Sequence, residues 1–271
     1  MPTDRELVDQ LTEVWESLGD FGDSLSESEW KTPTECPGWS VQDNLAHVIA
    51  IESTILDRPA PDHTAPGGTH IKNDVGAMNE IWVDWYRTRS GAEVLADFRE
   101  VTAARLAQLN AADHDFGADS WTPIGPGTVR DALPFRIFDT WVHDQDMRRA
   151  VDRPGGAAGP AAATAFDRIQ SMAPRSVGKK VAPPDGTTIG FTIAGPQARS
   201  FTVRMEAKRA GFVDDVAPED ADAHVSMDLD TYVRLGTGRG DPDVIVTTGD
   251  VGFSGDEDLG RAVARTLNFL F

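Results

Sequence analysis

The sequence predicts an α plus α+β protein, in which an antiparallel helix bundle precedes a smaller domain of strands and helices. Apolar residues recur at helical spacing, behind N-capping residues, as far as about residue 172, and no convincing strand interrupts them. Beyond Pro174 the pattern changes to short alternating segments separated by glycine and proline. Strands followed by helices indicate an α+β domain. We therefore expect a bundle over residues 1–178 and a second domain over residues 183–271.

The bundle helices are predicted from their caps and apolar spacing. Capping boxes at residues 3–6 and 90–93 open two of them, and Ser40 is the expected N-cap of a third. A helix beginning near Thr128 or Asp131 tolerates Pro134 only in its first turn. Residues 121–127 are expected to form a loop. The predicted helices cover residues 4 to about 22, 41–55, 71–87, 91–109, about 131–151 and 161–172.

The second domain is predicted from alternation and turn residues. Residues 191–193 and 201–205 alternate around the turn 195–198, which indicates a hairpin. A third strand is expected at 223–227 and a further one at 244–246. A short helix over 231–235 ends at glycine, and Ser254 or Asp256 caps a final helix that holds Leu259, Val263, Leu267 and Phe271.

Composition excludes several classes of protein. The 271 residues carry 44 acidic and 25 basic side chains, a net charge of -19 that repels nucleic acids and anionic membranes. There is no run of 18 apolar residues and no apolar signal segment, so we expect a cytoplasmic protein without a membrane span. The single cysteine excludes an intrachain disulfide and a cysteine-built zinc cage. Any metal site must therefore use histidine and carboxylate ligands.

The strongest candidate for such a site lies in the helix around residue 140. Asp139 and His143 stand at i and i+4, so one helix face presents a carboxylate and an imidazole that can bind the same ion. His47, on an earlier helix, is the candidate third ligand. The alternative is a surface Asp–His pair and an unrelated His47 that is hydrogen-bonded in the core. Spacing alone does not separate the two interpretations.

Two motifs resemble those of a known family. Residues 36–47, Cys-Pro-Gly-Trp-Ser-Val-Gln-Asp-Asn-Leu-Ala-His, and residues 138–148, Phe-Asp-Thr-Trp-Val-His-Asp-Gln-Asp-Met-Arg, resemble the metal-binding motifs of the mycothiol-dependent maleylpyruvate isomerase family. That family belongs to the DinB-like superfamily of metal-binding four-helix bundles. Residues 222–226, 234–239 and 255–259 are similar to the sterol-carrier-protein-like domain that many such proteins carry.

The resemblance implies a zinc ion held by a histidine on an early helix and by Glu and His at i and i+4 on a later one. These positions correspond to His47, Asp139 and His143, with aspartate in place of glutamate. The same donors also suit nickel, iron or manganese. Three protein ligands leave a coordination position open, where the family activates the thiol of mycothiol.

The sequence thus predicts a metal-dependent, mycothiol-dependent enzyme that performs isomerisation or thiol transfer on a small electrophilic substrate. The alternative is a non-catalytic protein with a structural metal, in which the second domain holds an apolar ligand. The expected partners are a small-molecule substrate and a low-molecular-weight thiol.

Several other residues have two interpretations each. Cys36 is either a nucleophile or fourth ligand, or a small side chain packed in a turn. Asp146 either orients His143 or lies on a solvated helix face. Arg148 and Arg149 are expected at the helix C-terminus rather than on an anionic substrate. His63 and His70 are expected to be solvent-exposed, and the core or a pocket wall is expected to contain Trp82, Trp85, Trp121 and Trp141.

Overall fold

The computed structural model describes residues 2–269, and the chain divides into two compact units, Met1–Ala165 and Phe166–Phe271. The division lies earlier than the junction expected from sequence at residues 179–182. It falls within a helix because the ring of Phe166 packs on Tyr232 of the second unit, with 5.5 Å between their centroids.

The first unit is mainly helical. Its helices are α1 (Asp4–Asp23), α2 (Glu27–Trp30), α3 (Val41–Ile55), α4 (Asp74–Tyr86), α5 (Gly91–Leu109) and α6 (Val129–Ala150), and α7 (Pro160–Ser171) begins in it. The predicted caps at Thr3, Ser40 and Ser90 are present, each with its capping box. The short α2, itself opened by a capping box at Ser26, was not predicted.

In the bundle, α1 and α3 each pack on both α5 and α6. Helix α6 begins behind the N-cap Thr128, so Pro134 lies in its second turn and not in its first. Helices α3 and α6 run antiparallel, because Asn44 near the start of α3 contacts His143 and Glu52 near its end contacts Arg136. This pairing brings the two predicted metal-binding motifs together.

A two-stranded hairpin stands where the sequence predicted a loop. Strands β1 (Asp119–Thr122) and β2 (Gly125–Thr128) pair antiparallel immediately before α6. Trp121 lies on this hairpin and is 66% exposed, so the expectation that it belongs to a core or pocket wall is wrong. Trp141 confirms that expectation, because it is buried and donates its indole N–H to the carbonyl of Gly156.

The second unit is an α+β domain around one five-stranded sheet. The strands are β3 (Thr188–Ala194), β4 (Arg199–Glu206), β5 (Arg209–Val213), β6 (Ala223–Asp228) and β7 (Val251–Gly255), in the order β5-β4-β3-β6-β7. Only β3 and β6 pair in parallel among these strands. Its helices are α8 (Ala173–Ser176), α9 (Leu229–Thr237), α10 (Pro242–Thr247) and α11 (Glu257–Arg265), with a π-helical turn at Val177–Val181 and a 3-10 turn at Pro218–Asp220.

Several predictions for this unit are confirmed and others are wrong. The hairpin of β3 and β4, the strand β6 and the helix ended by Gly238 agree with the sequence. Residues 244–246 belong to helix α10, because Asp241 caps its N-terminus and Pro242 occupies its first position. Asp256 caps the last helix, which ends before Leu267, and Phe271 lies outside the described residues.

The sheet buries one face. Alternate residues of its central strands, such as Ile189, Phe191 and Ile193, are buried, and the rings of Phe191 and Phe201 stack with 4.8 Å between centroids. Across residues 2–269, the helices are all too short or too polar to cross a membrane.

Candidate metal centre

The three predicted ligands converge between α3 and α6. Their nearest donor atoms all lie within 4.8 Å of one another. Nε2 of His47 is 3.3 Å from Oδ2 of Asp139, and Nε2 of His143 is 3.8 Å from Oδ1 of the same carboxylate. The imidazole rings of the two histidines are 4.8 Å apart between centroids. The alternative of a surface Asp–His pair with an unrelated His47 in the core does not describe this arrangement, because the α3–α6 pairing buries both histidines beside the carboxylate.

Asn44 fixes the tautomer of His143. The amide nitrogen of this buried asparagine donates to the carbonyl of Ser40 at 2.8 Å and to Oγ1 of Thr34 at 3.1 Å. Because a carbonyl only accepts, the amide oxygen must face His143, whose Nδ1 lies 2.6 Å away. Nδ1 therefore carries the proton, and the lone pair of Nε2 faces Asp139. This is the arrangement that a metal-binding imidazole requires.

Asp146 lies on the same side of His143 as Asn44. Its Oδ2 is 3.4 Å from Nδ1 of His143, and the side chain is only 1% exposed. The interpretation of Asp146 as a solvated surface acid is therefore wrong. The thiol of Cys36 groups with His143 and Asp146, but not with His47 and Asp139. Cys36 thus belongs to a second cluster, which shares only His143 with the three predicted ligands.

Burial and neighbouring charges act in opposite directions on the pKa values of the cluster. Burial lowers the pKa of His47, although Asp139 opposes this. Burial would raise the pKa of Asp139, but His47 and Arg136 together hold it well below its usual value. The carboxylate is therefore ionised. Two imidazoles and one carboxylate form the donor set found in open, reactive zinc sites.

Arg136, which was not predicted from the sequence, binds the carboxylate of Asp139. Its Nη1 donates to Oδ2 of Asp139 at 2.8 Å, and its Nε donates to Oε1 of Glu52 at 2.7 Å. Burial opposes the charge on Arg136, yet Glu52 and Asp139 raise its pKa above the ordinary value. The spacing of Arg136 and Asp139, three residues apart on one helix, was the available signal.

Trp39 forms one wall of the site. The centroid of its ring lies 5.2 Å from that of His47 and 5.8 Å from that of His143. Its indole N–H donates to Oε2 of the buried Glu80 at 3.1 Å, and Glu80 also pairs with Arg87 at 2.8 Å. A hydrogen bond to the buried Glu80, which is itself paired with Arg87, thus holds an aromatic ring beside both imidazoles.

The other histidines and arginines singled out above have different roles. His63 and His70 are partly buried and bind carboxylates of α4, at 2.7 Å from Asp84 and 3.0 Å from Glu80, so the prediction that they are solvent-exposed is wrong. Arg148 and Arg149 lie in the last turn of α6, as expected, and Arg148 binds Asp144 through Nε at 2.9 Å. Burial raises the pKa of Asp144 to about 6, against the opposing effect of Arg148.

Sequence reasoning missed the residues that orient the ligands. Asn44 lies one turn before His47 on α3, but its contact with His143 depends on how two distant helices pair. The same is true of Glu52, which reaches Arg136 across 84 positions of sequence. Trp39 was part of a quoted motif, yet only the fold places its ring beside both histidines.

Comparison with known proteins gives two family matches that together cover most of the chain. Residues 11–148 match the mycothiol maleylpyruvate isomerase N-terminal domain, and residues 166–268 match the SCP-2 sterol transfer family. Two Mycobacterium tuberculosis strains have relatives, uncharacterized protein Rv0036c and uncharacterized protein MT0041. Each is 25% identical over 221 residues, which cover 79% of this chain and 78% of the relative.

Solved structures share the fold. A crystal structure of the mycothiol-dependent maleylpyruvate isomerase is 17% identical, with a TM-score of 0.53 over 94% of this chain and 95% of that one. A mutant of that isomerase matches with a TM-score of 0.51 at 15% identity.

Proposed function

This chain belongs to the mycothiol maleylpyruvate isomerase family, and on that premise we propose that it is a mycothiol-dependent enzyme with a divalent metal ion, zinc by preference. The proposed reaction is isomerisation of a small electrophilic substrate, or transfer of a thiol to it. The proposed ligands are His47, Asp139 and His143.

One observation carries the metal proposal. The amide of Asn44 has its nitrogen committed to the Ser40 carbonyl, so its oxygen accepts the Nδ1 proton of His143. Nε2, the nitrogen left for a metal, then faces the carboxylate that His47 also faces. Two neighbouring imidazoles and an ionised carboxylate, all within reach of one point, match the donor types and number that zinc uses when a position stays open.

The protein's own residues have separate tasks in this proposal. His47, Asp139 and His143 would hold the ion. The ion would act as a Lewis acid and favour the thiolate form of a bound thiol. Asn44 and Asp146 keep the proton of His143 on Nδ1. Trp39 covers one side of the two imidazoles and leaves Asp139, whose side chain is 29% exposed, on the accessible side.

The metal proposal is tested by elemental analysis of the purified protein beside the variant His143→Ala. We expect about one equivalent of metal in the wild type and less than half of that in the variant. His224→Ala is the matched control, because His224 lies in the second unit, where it contacts Thr192. It should retain the full metal content. Equal metal in His143→Ala and the wild type would contradict the proposed site.

The thiol proposal is tested on cobalt-substituted protein. Addition of mycothiol should produce a sulfur-to-cobalt charge-transfer band, because thiolate is the form that binds a metal. Metal binding with no spectral response to mycothiol would instead favour the alternative, a non-catalytic metal- and ligand-binding protein.

A further inference from the structure

A buried chain of alternating charges runs from α5 through α3 to the metal-site carboxylate. Nε of Arg105 lies 3.6 Å from Oε2 of Glu52, whose other oxygen accepts from Arg136 at 2.7 Å. Arg136 in turn donates to Asp139 at 2.8 Å. The side chains of Glu52, Arg105 and Arg136 are 0%, 5% and 10% exposed, so water screens these charges little.

Each acid beside the site on α6 has its own arginine one turn away. Asp139 pairs with Arg136, and Asp146 pairs with Arg149 at 3.2 Å. The third acid, Asp144, pairs with Arg148 at 2.9 Å. Glu52 likewise has Arg105 in addition to Arg136. The charges of Arg105, Glu52, Arg136 and Asp139 therefore sum to zero before any cation enters.

We propose that Arg136 cancels the charge of the Asp139 carboxylate, so that a bound dication stays attractive to an anionic thiol. This inference rests on the proposed function. A metal site with an uncompensated carboxylate holds its ion more tightly but leaves less positive charge for an incoming anion. Arg136 thus weakens metal binding somewhat and strengthens thiolate binding.

The decisive variant is Arg136→Gln, with Arg136→Lys as the matched control that keeps the charge. Glu52 retains Arg105 in both variants, so neither leaves that buried acid without a cation. For Arg136→Gln we expect zinc affinity, measured by chelator competition, to rise about tenfold or more, because a unit charge close to a dication is removed from a weakly screened position. The affinity of mycothiol for the cobalt-loaded variant should fall about tenfold. Arg136→Lys keeps the unit charge and should therefore stay within about threefold of the wild type in both measurements.

The opposite signs distinguish this role from a structural one. If Arg136→Gln binds zinc more weakly than the wild type, or if both affinities stay unchanged, the inference is wrong while the metal site itself stands. A wild-type protein that binds no zinc would instead refute the proposed function.

A second variant gives an independent test if Arg136→Gln does not fold, as judged by its circular dichroism. Glu52→Gln removes a negative charge from the same chain and leaves Arg136 opposed by Asp139 alone. Zinc affinity should then fall about tenfold, and a rise would overturn the inference.

Discussion

Replacing Asn44 by leucine tests the origin of the His143 tautomer. The buried amide makes three hydrogen bonds, at 2.6 Å with His143, 2.8 Å with Ser40 and 3.1 Å with Thr34. At about 1 kcal/mol each, their loss sums to about 3 kcal/mol in the free energy of unfolding. Asp146, 3.4 Å from Nδ1 of His143, offers that proton a second acceptor. We therefore expect a net loss of about 2 kcal/mol.

The metal affinity of Asn44→Leu should fall at least tenfold, about 1.4 kcal/mol or more, because residues that orient a metal-binding histidine typically contribute that much. The unfolding free energy is measured by urea titration of the metal-free protein, and zinc affinity by competition with a chelator. The two measurements separate the folding effect from the effect on the site.

Gln42→Leu is the matched control. Gln42 is a buried amide on the same helix that donates to the carbonyls of Tyr86 and Arg89 at 2.7 and 3.2 Å and accepts from Lys31. Its loss should cost a similar free energy of unfolding while zinc affinity stays within about twofold. A folded Asn44→Leu protein whose zinc affinity equals that of Gln42→Leu would refute the tautomer argument.

Three further predictions concern ligand removal, pH and packing. Zinc at 100 times its dissociation constant should stabilise the protein by about 2.7 kcal/mol in calorimetry, and a chelator should abolish this gain in the wild type while leaving His143→Ala unaffected. Asp222 accepts from the N–H and hydroxyl of Thr188, both at 2.8 Å, and these bonds lower its pKa. Its contribution is therefore present above its unfolded pKa of about 4 and is lost as pH falls through the lower folded value. Because water screens this exposed carboxylate, Asp222→Asn should cost only about 0.5 kcal/mol at pH 7 and less at pH 3 in urea titrations. Gly190→Ala would place a Cβ 1.9 Å from the carbonyl oxygen of Pro218, so we expect the free energy of unfolding to fall by about 3 kcal/mol or more. A fall of less than about 1 kcal/mol would show that the 3-10 turn moves to make room.

Local signals in the sequence predicted most helices, because a cap and an apolar period are both short-range. The failures occurred where those signals compete. The segment 244–246 has the β-branched residues of a strand, yet Asp241 and Pro242 start a helix there. Strand β2 contains two glycines and a proline, which hide its pairing with β1. Strands β5 and β7 are edge strands with mixed exposure, so neither shows regular alternation.

The candidate site shows the same limit at longer range. The i and i+4 spacing of Asp139 and His143 is local, and the sequence contains it in full. The residues that orient these ligands do so from the neighbouring helix. Their roles cannot be predicted from the sequence of α3 alone, because they depend on how α3 pairs with α6. Nothing in the local sequence marks Asn44 or Glu52 as part of the site, because their contacts with His143 and Arg136 form only when α3 pairs with α6.

The register of α3 against α6 explains why the site holds together as one unit. Three contacts follow one another along the two helices: Asn44 with His143, His47 with Asp139, and Glu52 with Arg136. Residue numbers rise on one helix as they fall on the other, as an antiparallel pair requires. The Asn44–His143 hydrogen bond on one side of the ligands and the Glu52–Arg136 ion pair on the other both specify this register. A shift of one helix by one turn would break both contacts. It would also separate the buried charges of Glu52 and Arg136 from each other. The geometry of the candidate metal centre is therefore fixed by polar contacts on either side of it, before any ion contributes.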